Sequence, residues 1–261
     1  MQNYHLALFM TFLAGLATVL GGMITFIVKR SNMKVLSVGL GFSAGVMIFI
    51  SFTDILQNAI SLLTKHYPNN AEWVTFFGFL FGIGIAILID YFIPDHIEDD
   101  LFQQGNTHYS KHKIKRAGLI TAIAICVHNF PEGIATFFVS TQSLTLGATV
   151  AIAIALHNIP EGIAVALPIY HATGKKRLAI LYSFLSGISE PIGAVIGFFV
   201  LKMFLPAYAI GFMFAAVGGI MVYISFDTLL PLSREYGDDH YSVFGIISGI
   251  FIIWLSLLIL K

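Results

Sequence analysis

The chain has 261 residues, of which 57% are apolar and only 11% charged, with a mean hydropathy of +0.85 and no formal net charge. A soluble domain carries about twice that charged fraction, so a surface this apolar suits lipid rather than water, and the neutral balance gives no footing for nucleic acid. The single cysteine, Cys126, excludes an internal disulfide, a Cys-based zinc finger and an iron–sulfur cluster.

The first apolar run has no Lys or Arg before it, and Lys29-Arg30 follow it. That order is the reverse of a cleaved secretory signal, so the run reads as a permanent span. A transmembrane helix needs about 20 mostly apolar residues. Such segments fall near 5–28, 35–63, 72–93, 117–140, 145–168, 178–201, 207–231 and 241–260. The expectation is an all-α integral membrane protein of eight helices forming one domain over 1–261. Asp54 and Asp90 interrupt the second and third spans. The one sizeable loop, 94–116, is acidic in its first half and basic in its second. It contains His96, His108 and His112. These three could catch metal, although a solvated charged loop explains them as well.

Basic loops stay on the cytoplasmic side. Lys29, Arg30 and Lys34 follow span 1, and Lys111, Lys113, Lys115 and Arg116 follow span 3. Lys175, Lys176 and Arg177 follow span 5, and Arg234 follows span 7. The opposite side has only Lys65, Lys202 and Lys261. Both termini are therefore expected outside the cytoplasm, in agreement with an even number of spans.

Two repeats stand out. His128-Asn129-Phe130-Pro131-Glu132-Gly133 recurs 29 residues on, from 128 to 157, as His157-Asn158-Ile159-Pro160-Glu161-Gly162. Consecutive spans run antiparallel, so the two hexapeptides approach one depth from opposite directions. Gly45-Val46-Met47-Ile48-Phe49-Ile50-Ser51-Phe52 in span 2 matches Gly219-Ile220-Met221-Val222-Tyr223-Ile224-Ser225-Phe226 in span 7. An even and an odd span point in opposite directions, so this match predicts inverted-repeat halves.

Glu132, Glu161 and Glu190 all lie well inside predicted spans. Each carboxylate at a helix centre costs about 2.5–3.5 kcal/mol on insertion scales, and no Lys or Arg lies at that depth. A bound cation or protons must balance them. His128 and Glu132 are four residues apart and share a helix face, as do His157 and Glu161. Asn129 and Asn158 adjoin that face. Pro131 frees the Val127 carbonyl and Pro160 the Leu156 carbonyl, which is tolerated where the backbone lines a cavity. In span 6 the run Ser186-Gly187-Ile188-Ser189-Glu190-Pro191 again sets a proline against a carboxylate. Imidazole with carboxylate suits zinc, iron, manganese, cobalt or cadmium. Copper(I) would want sulfur, and magnesium or calcium an all-oxygen site.

Two HNxPEG motifs on consecutive spans, followed by the Glu190-Pro191 span, make the chain similar to the ZIP family of zinc and iron transporters. The resemblance covers essentially the whole chain and is nearest to the bacterial zinc-uptake permeases. It implies divalent metal uptake across the cytoplasmic (inner) membrane through a binuclear site. One ion would use His128, Glu132, His157 and Glu161. The other would use Asn129, Glu132, Asn158, Glu161 and Glu190, with Glu132 and Glu161 bridging. Met47 is implied as an extra ligand to the first ion. The metal would be cargo, with no cofactor and no enzymatic step. Unlike plant and animal members, the 94–116 loop has no long His repeat.

Asp54 and Asp227 lie toward the ends of the duplicated spans and are candidates for an entrance or exit path. Gly78–Gly82, Gly193–Gly197 and Gly245–Gly249 have the spacing of helix-dimer faces, so a homodimer is one use for them and packing within the bundle the other. The rival function is an intramembrane zinc metalloenzyme. Those combine HExxH, or scattered His and Asp, with an adjacent base; here Asn follows each His. Duplicated ligands favour passage over one-sided catalysis.

Overall fold

The computed structural model describes residues 4–92, 106–142, 144–201, 207–236 and 239–259. Among them eight helices are long and apolar enough to cross a membrane. Spans 1 to 4 are Tyr4–Phe26, Met33–Thr64, Ala71–Phe92 and Ile114–Thr141; spans 5 to 8 are Gly147–Thr173, Lys176–Phe199, Tyr208–Glu235 and His240–Ile259. Spans 3 and 8 are the least buried. They turn Trp73, Phe77, Phe81, Phe244, Phe251 and Trp254 outward, an apolar exterior that only lipid tails solvate without penalty.

Spans 1, 4, 5 and 6 pack as one group and spans 2, 3, 7 and 8 as another. The groups meet mainly where span 2 lies on span 5 and span 7 on span 4. Exchanging 1 with 6, 2 with 7, 3 with 8 and 4 with 5 maps this packing onto itself. Close helix approaches repeat in detail. The space a Cβ would take on Gly45 and on Gly219 is filled by the carbonyls of Ile246 and Phe79, and on Gly249 and Gly82 by those of Phe42 and Ala216. Each exchange pairs an odd with an even span, so the halves are inverted repeats. The glycine pairs at 78–82, 193–197 and 245–249 all face neighbouring spans of the same chain.

The duplicated octapeptides fold alike to their last residues. Each passes at its serine into a π-turn, Ser51–Ile55 and Ser225–Leu229. Each serine donates to the carbonyl four residues back, Ser51 to Met47 and Ser225 to Met221, both at 2.7 Å. A π-turn adds a residue to the helix and rotates the turns beyond it. It carries Asp54 in one half and Asp227 in the other.

Three boundaries differ from the sequence reading. The helix of span 4 begins at Asn106, so residues 106–116, expected in the loop, are helical. Hydropathy marks where a helix leaves lipid, and nothing from 106 to 116 is a Pro or Gly that would end it. The helix of span 5 continues past Pro168 to Thr173. There Arg30 caps it, donating Nε to the His171 carbonyl (3.0 Å) and Nη2 to that of Ala172 (2.7 Å), and Gly174 turns the chain at φ 71°. Span 6 is broken at Ile188, between helices Lys176–Gly187 and Ser189–Ile196. His96 lies outside the described residues; His108 and His112 lie on the helix Asn106–Gln142, with their side chains outside the description.

Candidate metal centre

Both HNxPEG motifs sit within unbroken helices, where spans 4 and 5 cross. Pro131 and Pro160 are interior to those helices. Gly133 and Gly162 bring these helices against the flanking spans, each admitting a neighbour's backbone, the Glu190 carbonyl from span 6 and the Thr18 carbonyl from span 1. The Pro160 carbonyl accepts the Ser43 hydroxyl of span 2 at 2.6 Å, tying the second motif to the other helix group.

His128, Asn129, Glu132, His157, Asn158, Glu161 and Glu190 are all buried. The candidate ligands meet across the crossing as two His–Glu pairs. His128 Nε2 lies 3.1 Å from Glu161 Oε1, and His157 Nε2 lies 3.3 Å from Glu132 Oε2. Each Glu therefore faces the His of the other helix and not the one on its own. The exchange of spans 4 and 5 carries one pair onto the other. Among the described residues no three His, Cys, Asp or Glu already converge at ligating distance.

The asparagines position the flanks. Asn158 donates Nδ2 to the Ala14 carbonyl of span 1 at 2.9 Å and to Glu190 Oε1. Asn129 donates Nδ2 to the Ser186 carbonyl of span 6 at 3.3 Å. The reverse orientation of Asn129 would send Nδ2 to Glu161 Oε2 at 3.2 Å. That orientation sets Nδ2 against an acceptor, where the first sets Oδ1 against the Glu161 carboxylate; in both, the Asn129 amide lies between span 6 and Glu161.

Several buried acceptors keep free lone pairs. Among the described residues, Glu132 Oε1, Asn158 Oδ1 and Glu190 Oε2 have no hydrogen-bond partner. Leaving such an atom unpaired costs about 1–3 kcal/mol, more for a charged group. Carboxylate and amide oxygens beside two imidazoles form a donor set for a divalent transition metal. These residues fit a cation.

The two pairs differ in access. A cavity of about 600 Å³ runs from Glu132 and His157 past Asp54 and Asn58 to Thr149 and Trp254. His128 and Glu161 do not line it and are fully buried. Met47 is buried in the core of the bundle, in the same cluster as its symmetry mate Met221. Asp54 therefore reaches the site through open space. Asp227 does not line that cavity; it lies with Tyr223, Asp90 and Arg116. There Arg116 Nη2 bonds Asp90 Oδ1 at 3.1 Å and the Asp90 carbonyl at 3.3 Å. The sequence reading passed over Asn58, Ser43 and the Arg116–Asp90 pair. Asn58 was findable, four residues after Asp54 on one helix face; the other two depend on which spans touch.

Comparisons with known proteins point to one family. A family model described as ZIP Zinc transporter matches residues 95–257. A protein named zinc transporter ZupT from Akkermansia muciniphila is 46% identical over 257 residues, covering 95% of each chain. The protein of that name from Streptococcus mutans is 47% identical over 260 residues, covering 99% of this chain and 98% of its own. The one from Clostridium perfringens is 44% identical, covering 99% and 97%. With its paired motifs at the crossing of spans 4 and 5, this multi-pass membrane protein belongs to the ZIP zinc transporter family.

Proposed function

We propose that the chain takes up divalent metal ions, zinc first, across the cell membrane through the site at the crossing of spans 4 and 5. One observation carries the reading. The two symmetry-related His–Glu pairs have the same chemistry and opposite access: His157–Glu132 lines a cavity and His128–Glu161 is sealed. A site of this kind passes an ion between two sides by exchanging which pair is open.

Within that reading the centre is binuclear. His128, Glu132, His157 and Glu161 hold one ion. Asn129, Glu132, Asn158, Glu161 and Glu190 hold the other, with Glu132 and Glu161 shared. The free lone pairs of Glu132, Asn158 and Glu190 support the second position. Met47 is a further sulfur ligand to the first ion. Asp54 and Asn58 guide ions in along the cavity. Asp227 has the matching role on the way out. The basic residues at the Arg116 end put that end in the cytoplasm, so the cavity opens to the outside and both termini lie there. The metal is cargo. A metalloenzyme would need one asymmetric centre with a base set apart, whereas these ligands come as an inverted pair.

The test is uptake into liposomes loaded with a zinc-sensitive dye, comparing wild type with His157→Ala/Glu161→Gln. Wild-type flux that disappears in the variant supports the reading. Stoichiometric zinc binding without flux above empty liposomes overturns it.

A further inference from the structure

The same exchange of halves that relates the His–Glu pairs relates span 1 to span 6, and it puts Thr18 where Glu190 stands. Gly162 receives the Thr18 carbonyl as Gly133 receives that of Glu190. Gly21 meets the Ile159 carbonyl as Gly193 meets that of Phe130. Asn158 bonds the Ala14 carbonyl as Asn129 bonds that of Ser186. Gly15 and Gly187 approach each other directly, and the Thr18 Cβ lies against Gly187. In every case the step from span 1 to span 6 is 172, from 14 to 186, 15 to 187, 18 to 190 and 21 to 193. Glu190 bonds Asn158, and the exchange of halves carries that pair onto Thr18 and Asn129.

Thr18 is also an exception in its own helix. Hydroxyls in these spans commonly donate to the carbonyl four residues back, as Thr11, Thr75, Thr136 and Ser183 do. For Thr18 that carbonyl is Ala14, which accepts from Asn158 instead. Thr18 is fully buried, and among the described residues its Oγ1 has no hydrogen-bond partner. A buried hydroxyl without a partner is costly, and here it stands in the mirror position of a carboxylate aimed at the site. Ser37 and Thr121 also have such hydroxyls, but neither holds the symmetry position of a site residue.

We propose that the Thr18 hydroxyl is a neutral ligand of the second metal position, on the Asn129 side, opposite Glu190. This rests on the binuclear reading. It explains why the otherwise symmetric centre has three carboxylates and not four. A hydroxyl on span 1 supplies an oxygen without a fourth negative charge, so a dication is held and still released.

The experiment is zinc titration of the purified full chain in nanodiscs for wild type, Thr18→Val, Thr18→Ser and Glu190→Gln. Val keeps the shape of Thr, and thermal unfolding without zinc checks that each variant folds. Thr18→Val should weaken one of two bound ions about tenfold, the weight of a single neutral oxygen partner. The other ion should bind as before. Thr18→Ser should restore affinity to within about twofold. Glu190→Gln should weaken the same ion more. Thr18→Val binding both ions as wild type does, while Glu190→Gln loses one, overturns the role of Thr18 and leaves the binuclear centre standing. A wild-type chain that binds a single ion overturns both.

Discussion

The two His–Glu pairs show what symmetry fixes in this molecule and what it leaves free. His157–Glu132 and His128–Glu161 come from identical motif positions, bridge the same two helices and have nearly equal lengths, 3.3 and 3.1 Å. One faces a cavity flanked by Asp54, Asn58 and Trp254. The other is fully buried, and its span 4 helix carries Arg116, bonded to Asp90 of span 3. Local chemistry is thus duplicated, while access differs between the two pairs.

The strongest way to break the comparison is to remove one bridging charge at a time. Glu132→Gln and Glu161→Gln should each lower zinc uptake by at least about 100-fold, since loss even of a group supporting a ligand costs 10–100-fold. A large difference between the two variants would show that the open and sealed pairs are not equivalent stations. Next come the glycines that bring the motif helices against spans 6 and 1. Gly133→Ala and Gly162→Ala each push a methyl group into a backbone carbonyl. Each should destabilise the chain by about 1–3 kcal/mol, measured as a fall in detergent melting temperature. Equal losses would support the symmetry, and a loss in only one would limit it.

Asp54→Asn should raise the KM for zinc uptake roughly tenfold with little change in kcat, because a charge at the mouth of a cleft acts on capture. Asp227→Asn, outside that cavity, should leave KM nearly unchanged. The smallest effect is expected at an ion pair. The Arg116–Asp90 pair is about a quarter exposed on each side, so it contributes only about 0.2–1 kcal/mol after solvent screening. Arg116→Ala should therefore shift the balance toward the opposite opening by at most about fivefold. The readout is thiol labelling of Ala124→Cys in a Cys126→Ser background. No gain in labelling would mean that packing alone closes that side.

Much of this was written in the residues. Eight apolar segments have one stable solution in lipid, because every backbone group must be satisfied within its own helix. The spacing of His128 to Glu132 and of His157 to Glu161 matches 3.6 residues per turn. The octapeptide repeat announced inverted halves, to which the structure added two matching π-turns. The match between spans 1 and 6 was present too, as Ala14-Gly15 through Thr18 to Gly21 against Ser186-Gly187 through Glu190 to Gly193. Small residues are so common in packed membrane helices that this spacing says nothing until the helices are seen to touch the same partners. Hydropathy misjudged the ends of spans 4 and 5, since it measures the solvent around a helix and not its hydrogen bonds. Composition and local period thus determined the class of fold and the number of spans, and marked out the candidate ligands. Only the tertiary structure decided that each Glu meets the His of the other helix, that Asn158 takes the carbonyl Thr18 would have used, and which pair opens to a cavity. Those depend on contacts between segments far apart in the chain, and no local pattern encodes them.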